Sequence, residues 1–197
     1  MFVASPIARS ACVTMARAAA RPPRAPAVAL WKQAALARAY SSVSAPITAA
    51  EVEAAQMKWA EGIVAVGAVF TDGGDFKAKG KEVLDDLYGY ASGFDVLFKP
   101  TKAAEQAIRL TETEAASYMV TGCVPEDKGF AITPFTDVRF DNKGTLLLSD
   151  SATAMGEYYF ADAGDGITKV EYTFQYRRAA DGSLKIIVHH SSIPFQA

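Results

Sequence analysis

Near its C-terminal end the chain runs Leu184-Lys185-Ile186-Ile187-Val188-His189-His190-Ser191-Ser192-Ile193-Pro194, and this stretch holds both histidines of the protein. Imidazole exchanges a proton near neutral pH, and a serine hydroxyl both accepts and donates. The four polar residues are therefore the best proton-handling set in the sequence. The apolar residues ahead of them predict a strand. Successive strand side chains point to opposite faces, which groups His190 and Ser192 with Ile186 and Val188, and His189 and Ser191 with Lys185 and Ile187. The apolar row makes His190 and Ser192 the inward pair. A strand end whose polar groups merely bond to their neighbours is the plainer reading of the same residues.

Other chemistries lack their residues. A three-histidine zinc site is beyond a single chain with 2 histidines, and adjacent strand residues do not readily ligate one ion. The sequence has no H-E-x-x-H, no C-x-x-C, no G-x-G-x-x-G, no P-loop and no G-x-S-x-G. Glu157 and Glu171 could join a carboxylate site for a hard cation, although solvated strand faces explain them equally well. Cys123 sits in Thr121-Gly122-Cys123-Val124-Pro125 with no histidine nearby in sequence, so it reads as a loop or small buried residue.

The charge is unevenly placed along the 197 residues. Before Glu51 there are six basic residues and no acidic one; after it, 14 Lys and Arg meet 22 Asp and Glu, a formal charge of −8. An acidic body without a basic cluster argues against nucleic acid as partner. No apolar run is long enough to span a membrane. Residues 1–45, rich in Ala, Arg, Ser and Pro, read as an organelle transit peptide without a fold of its own. Arg38-Ala39-Tyr40-Ser41-Ser42 resembles a mitochondrial processing site with cleavage after Tyr40; a plastid is the second destination. With Cys12 in that leader, the body keeps one thiol and no internal disulfide, which fits a reducing compartment.

Residues 46–197 read as one domain. Thr48-Ala49-Ala50-Glu51 is a capping box. Behind it Val52, Ala55, Trp59, Ile63, Val66 and Phe70 form an apolar stripe at helical spacing. A second helix is predicted over Phe76–Tyr90. Strands are predicted around Phe94–Phe98, over Ala115–Gly122 with Tyr118, over Phe130–Phe140 with a break near Pro134, and over Thr145–Leu148 and Thr153–Phe160. The clearest is Thr168–Arg177, where Val170, Tyr172, Phe174 and Tyr176 alternate with polar residues. Asp181-Gly182 is a hairpin signal into the last strand. Two helices followed by antiparallel strands predict an α+β fold, a curved sheet wrapped around a long N-terminal helix.

The run His189-His190-Ser191-Ser192-Ile193-Pro194-Phe195 resembles the C-terminal signature of the iota-class carbonic anhydrases. Val96-Leu97-Phe98-Lys99-Pro100-Thr101, Ala116-Ser117-Tyr118-Met119-Val120, Glu126-Asp127-Lys128-Gly129-Phe130-Ala131-Ile132, Ala154-Met155-Gly156-Glu157-Tyr158-Tyr159-Phe160 and Lys169-Val170-Glu171-Tyr172-Thr173-Phe174 resemble further blocks of that family, in family order. The resemblance implies a fold related to the association domain of calcium/calmodulin-dependent kinase II, and so the cone-shaped fold of ketosteroid isomerase and nuclear transport factor. It implies reversible hydration of carbon dioxide to bicarbonate. Some members of the family work without metal and another is associated with manganese; the shortage of ligands here favours the metal-free kind, with no cofactor.

By the same resemblance Thr101, Tyr118, and a histidine and serine of the last strand hold substrate and water. The register there is open by one residue, and alternation selects His190 and Ser192. In the mechanism this suggests, His190, directly or through Ser192, takes the proton from water, Tyr118 and Thr101 orient the water, and Phe98 and Phe174 exclude solvent. Self-association as a homodimer through the outer sheet face is expected. A non-catalytic association domain with a small-molecule pocket is the alternative, and an isomerase or cyclase of the cone fold is a further one.

Overall fold

In the computed structural model, residues 45–196 are described. The leader read over residues 1–45 lies almost wholly outside them. Helix α1 spans Ala49–Thr71, and its capping box is closed in both directions between Thr48 and Glu51. Val52, Trp59, Ile63 and Val66 of α1 are buried, as the stripe predicts, whereas Phe70 is partly exposed and packs edge-on against Phe76 of the next helix. Helix α2 spans Phe76–Leu87. Strand β1 is short, Leu97–Lys99.

Glu112–Val120 is a helix, α3, and not the strand predicted over Ala115–Gly122. A short apolar run with β-branched neighbours cannot be told from a buried helix by period alone. The missed signal was local: Thr111 and Glu114 form a second capping box, the S/T-x-x-E pattern of a helix start. A turn of 3₁₀ helix over Phe130–Ile132 precedes Pro134.

The remaining strands are β2 (Phe135–Leu147), β3 (Ser151–Asp162), β4 (Ile167–Arg178) and β5 (Leu184–Ser192). They form one sheet in the order β1-β5-β4-β3-β2. The four long strands are antiparallel neighbours, and β1 runs parallel to β5. The segments predicted around Phe130–Phe140 and Thr145–Leu148 are one strand, β2, carrying a bulge near Asn142–Gly144. Opposite that bulge sits Gly156, where any Cβ would collide with the Asp141 carbonyl oxygen. Bulge and glycine together let the sheet bend around α1. At the β4–β5 turn Gly182 has φ +88°, a conformation that suits glycine.

Trp59 of α1 is the centre of the core. Its indole lies 5.6–6.2 Å from the rings of Phe140, Tyr158, Phe160 and Phe174 on the concave sheet face. Each such aromatic pair adds roughly 0.5–1.5 kcal/mol beyond area burial.

Candidate active site

The last strand does not alternate throughout. Gln175 of β4 pairs with Val188, but the next residue, Tyr176, pairs with Ile186. Ile187 is thus an extra residue, a β-bulge, and it reverses the parity of everything after it. Ile186 points inward before the bulge; His189 and Ser191 point inward after it, only 4% and 2% exposed. His190 is exposed and Ser192 is partly exposed on the opposite face. The structure therefore corrects the assignment of His190 and Ser192 as the inward pair. Strict alternation from Ile186 fails because one residue is left unpaired.

Ser191 Oγ lies 2.8 Å from Thr101 Oγ1. Thr101 follows β1, which the parallel pairing Leu97–Val188 to Lys99–His190 docks onto the end of β5. Lys99 Nζ donates to the Ser191 carbonyl oxygen at 3.0 Å. Beyond Thr101 the chain is held by Glu126, whose carboxylate accepts from the N–H groups of Ala104, Glu105 and Gln106 at 2.8–3.1 Å. Those three donors hold the Glu126 carboxyl down at about 2. The fully buried Arg109 donates to Asp127 at 2.8 Å and reaches Glu126 at 3.3 Å. The Glu126-Asp127 block thereby fixes the loop that carries Thr101.

Tyr118 projects from α3. Its hydroxyl accepts from the Lys102 N–H at 3.3 Å, and its ring stacks on Phe130 with centroids 5.5 Å apart. Burial pushes the Tyr118 hydroxyl up to about 12, opposed in part by the Lys102 N–H and Thr101. Sequence reasoning passed over Tyr158, a buried residue of β3. Its hydroxyl sits 3.4 Å from His189 Nε2, and Ser191 and Thr101 both act on it while burial raises its pKa. Alternation along β3 marks Tyr158 as inward, and that was the available signal.

Thr101, Tyr118, Tyr158, His189 and Ser191 converge on one cavity, with Phe98, Phe130, Trp59 and Met119 among its walls. The space open to a water-sized molecule is about 20 Å³. Pockets for organic ligands run to roughly 300–1,000 Å³, so this cavity suits molecules of a few atoms. His189 is the one basic group lining it. Burial, and then the neighbouring His190, hold His189 well below the ordinary histidine value, so its ring is neutral at pH 7. A larger groove of 790 Å³ lies between α1 and β2. Its lining contains neither histidine nor the hydroxyl cluster, so it offers no comparable chemistry.

Among the described residues no three His, Cys, Asp or Glu gather closely enough to hold a metal ion. Hydroxyls and one imidazole are a poor donor set for manganese, which prefers carboxylates and other hard oxygens. Cys123 is exposed after α3, its sulfur 3.8 Å from the Thr113 carbonyl oxygen, and it does not line the cavity.

A curved sheet closed over a long helix, with a small neutral cavity of hydroxyls and one imidazole, defines a cone-fold protein equipped for proton-coupled chemistry on a very small molecule. The sequence profile of the metal-independent carbonic anhydrase family matches residues 50–193, and the chain belongs to that family. It is 38% identical over 159 residues to a metal-independent carbonic anhydrase from Nostoc sp., covering 78% of this chain and 77% of that one. It also resembles the crystal structure of a cyanobacterial iota-carbonic anhydrase complexed with bicarbonate, with TM-score 0.74, 38% identity, and 77% and 95% of the two chains covered. A structure from Xanthomonas campestris, described as a calcium/calmodulin-dependent protein kinase II association domain, shares the fold. It has TM-score 0.53 and 22% identity, with 79% of this chain and 98% of that one covered.

Proposed function

We propose that the cavity bounded by Thr101, Tyr118, Tyr158, His189 and Ser191 is where this chain adds water to carbon dioxide, reversibly and without metal. The observation that carries this reading is the convergence of the Thr101, Tyr118, Tyr158 and Ser191 hydroxyls and a neutral imidazole on a space of about 20 Å³ in a member of this family. Such a space is on the scale of a single molecule of a few atoms and far below the pockets that hold the organic substrates of an isomerase or cyclase.

Hydration forms one C–O bond from water to carbon. One C=O π pair moves onto oxygen, and one water proton leaves, giving bicarbonate. Bulk water has a pKa near 15.7 and a metal lowers it to about 7. Without metal, hydroxide cannot accumulate, so the proton leaves as the oxygen attacks. The Thr101–Ser191 hydroxyl pair is placed to carry that proton, since each oxygen can accept one hydrogen while giving up its own. Thr101 is the partly exposed member and so provides the way out. Tyr118 and Tyr158, both held protonated by burial, donate to the oxygen that gains charge. Phe98 and Phe130 keep bulk water away.

Stopped-flow hydration by the full chain after exhaustive treatment with chelator tests this reading. Rapid hydration that Tyr118→Phe lowers by roughly 10²–10³-fold, the usual loss for one such donor, is the expected result. Activity that needs added manganese would refute the metal-free mechanism. No activity with or without metal would favour a non-catalytic association domain.

Two further readings belong to the proposal. The composition of residues 1–45 supports import into the mitochondrion, with the plastid second, and mass measurement of the mature protein should place its first residue at Ser41. Met155 and Leu146, exposed on the outer sheet face, support self-association as a homodimer, which sedimentation checks directly.

A further inference from the structure

In one wall of the cavity, formed by Trp59, Tyr88 and His189, hydrogen-bond donors are arranged in one direction. Trp59 Nε1–H, which can only donate, points at Tyr88 Oη at 3.0 Å. Tyr88 Oη lies 2.8 Å from His189 Nδ1. No other partner of the Tyr88 oxygen is found among the described residues, and Tyr88, Trp59 and His189 are all buried. The Tyr88 proton therefore has one place to go, the Nδ1 lone pair. That leaves the ring proton of the neutral imidazole on Nε2, facing Tyr158 and the cavity.

The reverse assignment, with Nδ1–H donating to Tyr88, makes Tyr88 accept twice and leaves its own proton without an acceptor among the described residues. A buried unpaired donor weighs against that tautomer by about tenfold or more.

We propose that Trp59 and Tyr88 are positioning residues that lock His189 as the Nε2–H tautomer, so that His189 gives a hydrogen bond to the reacting oxygens and takes no proton from water. The proposal deepens the carbon dioxide reading and rests on the same cavity. It inverts the arrangement of a catalytic triad, where a carboxylate accepts from Nδ1–H and frees Nε2 to act as base. Here the group behind the ring is a donor, and the other groups bonded to or packed on His189 are Tyr158 and the rings of Trp59, Phe98 and Phe174; none is a carboxylate. The contact from Nε2 to Tyr158 is long, 3.4 Å, so this N–H is only weakly engaged and remains available to an oxygen bound in the cavity. Tyr88 itself is fixed because its backbone bridges to Ile186, the last residue before the bulge.

Nitrogen-15 spectra of histidine-labelled full chain report which ring nitrogen carries hydrogen, without reference to activity. The two histidines are told apart with His190→Gln. The expected result is one His189 signal set with Nε2 protonated and no titration between pH 6 and 9. A proton on Nδ1, or titration in that range, would overturn the lock. In Tyr88→Phe the other tautomer should rise from below a tenth to a comparable population, with kcat for hydration falling in proportion to the fraction of molecules that leave the Nε2–H form, about twofold, and KM little changed. A single unchanged tautomer in folded Tyr88→Phe would assign the lock elsewhere and remove Tyr88 from it. If Tyr118→Phe and Ser191→Ala leave hydration intact, the carbon dioxide reading of the cavity fails, whatever the tautomer.

Discussion

His189 and His190 are chemically identical neighbours on β5, yet they live in different solvents. The ring of His189 lies 4.2 Å from that of Phe174 and 4.7 Å from that of Phe98, and both its nitrogens face tyrosine hydroxyls. His190 lies on the exposed face. Ser191 and Ser192 repeat the contrast: Ser191 meets Thr101 at 2.8 Å, whereas Ser192 makes only a long contact of 3.5 Å with the Glu171 carboxylate. What a residue can do here is set by the face of the strand, and the face is set by the register in which β5 pairs with β4.

The widest gap between the faces should appear in the serines. Ser191→Ala removes a hydroxyl that touches Thr101 and is expected to lower hydration by roughly 10²–10³-fold. Ser192→Ala should stay within about twofold of wild type. Equal losses in steady-state hydration assays would erase the distinction.

Acid should separate the histidines next. Folded His189 stays neutral where the unfolded chain, with an ordinary pKa near 6.5, takes up a proton. The unfolded state binds more protons below that pH. Stability is therefore complete above about 6.5 and falls as the pH drops, by up to about 1.4 kcal/mol per pH unit. Urea midpoints at pH 7.5 and 5.5 should show this loss in wild type and in His190→Gln, and much less of it in His189→Gln. Glu126 and Glu51, both held at about 2, contribute in a lower window, lost as pH falls from their unfolded value near 4.3 towards 2.

A smaller effect tests the bulge. Deleting Ile187 lets the pairs Tyr176–Ile186 and Gln175–Val188 follow one another without interruption, so His189 and Ser191 still face inward. Hydration within about tenfold of wild type is expected. The gentlest change is His190→Ala, for which hydration within about twofold is expected.

Much of this was legible in the chain. The stripe of α1, the alternation of β4 and the Asp181-Gly182 turn all read directly, because each is a local pattern matched by its burial. The resemblance of ordered blocks brought Thr101 and Tyr118 to the site. One reading failed for a non-local cause and one for a local signal that was easily overlooked. The bulge at Ile187 exists only in the pairing of β5 with β4, so counting along β5 alone gave the wrong face. The segment around Tyr118 reads as apolar either way, and only the cap at Thr111 betrays a helix. Trp59, Tyr88 and Tyr158 were indistinguishable from core aromatics until their hydroxyl and indole groups were seen to join His189.

The tightness of the cavity has a kinetic consequence. At about 20 Å³ it is filled by very little, and bicarbonate is bulkier than either reactant. Product and incoming substrate would share one narrow way past Phe98, Tyr118 and Phe130, whose rings would have to shift as bicarbonate leaves. Ring displacements of that kind, not bond making, would then set the ceiling on turnover, as product release does in many efficient enzymes. Viscosity and temperature should act on kcat through the rigidity of that aromatic wall, and trimming one ring would trade exclusion of water for speed of exit.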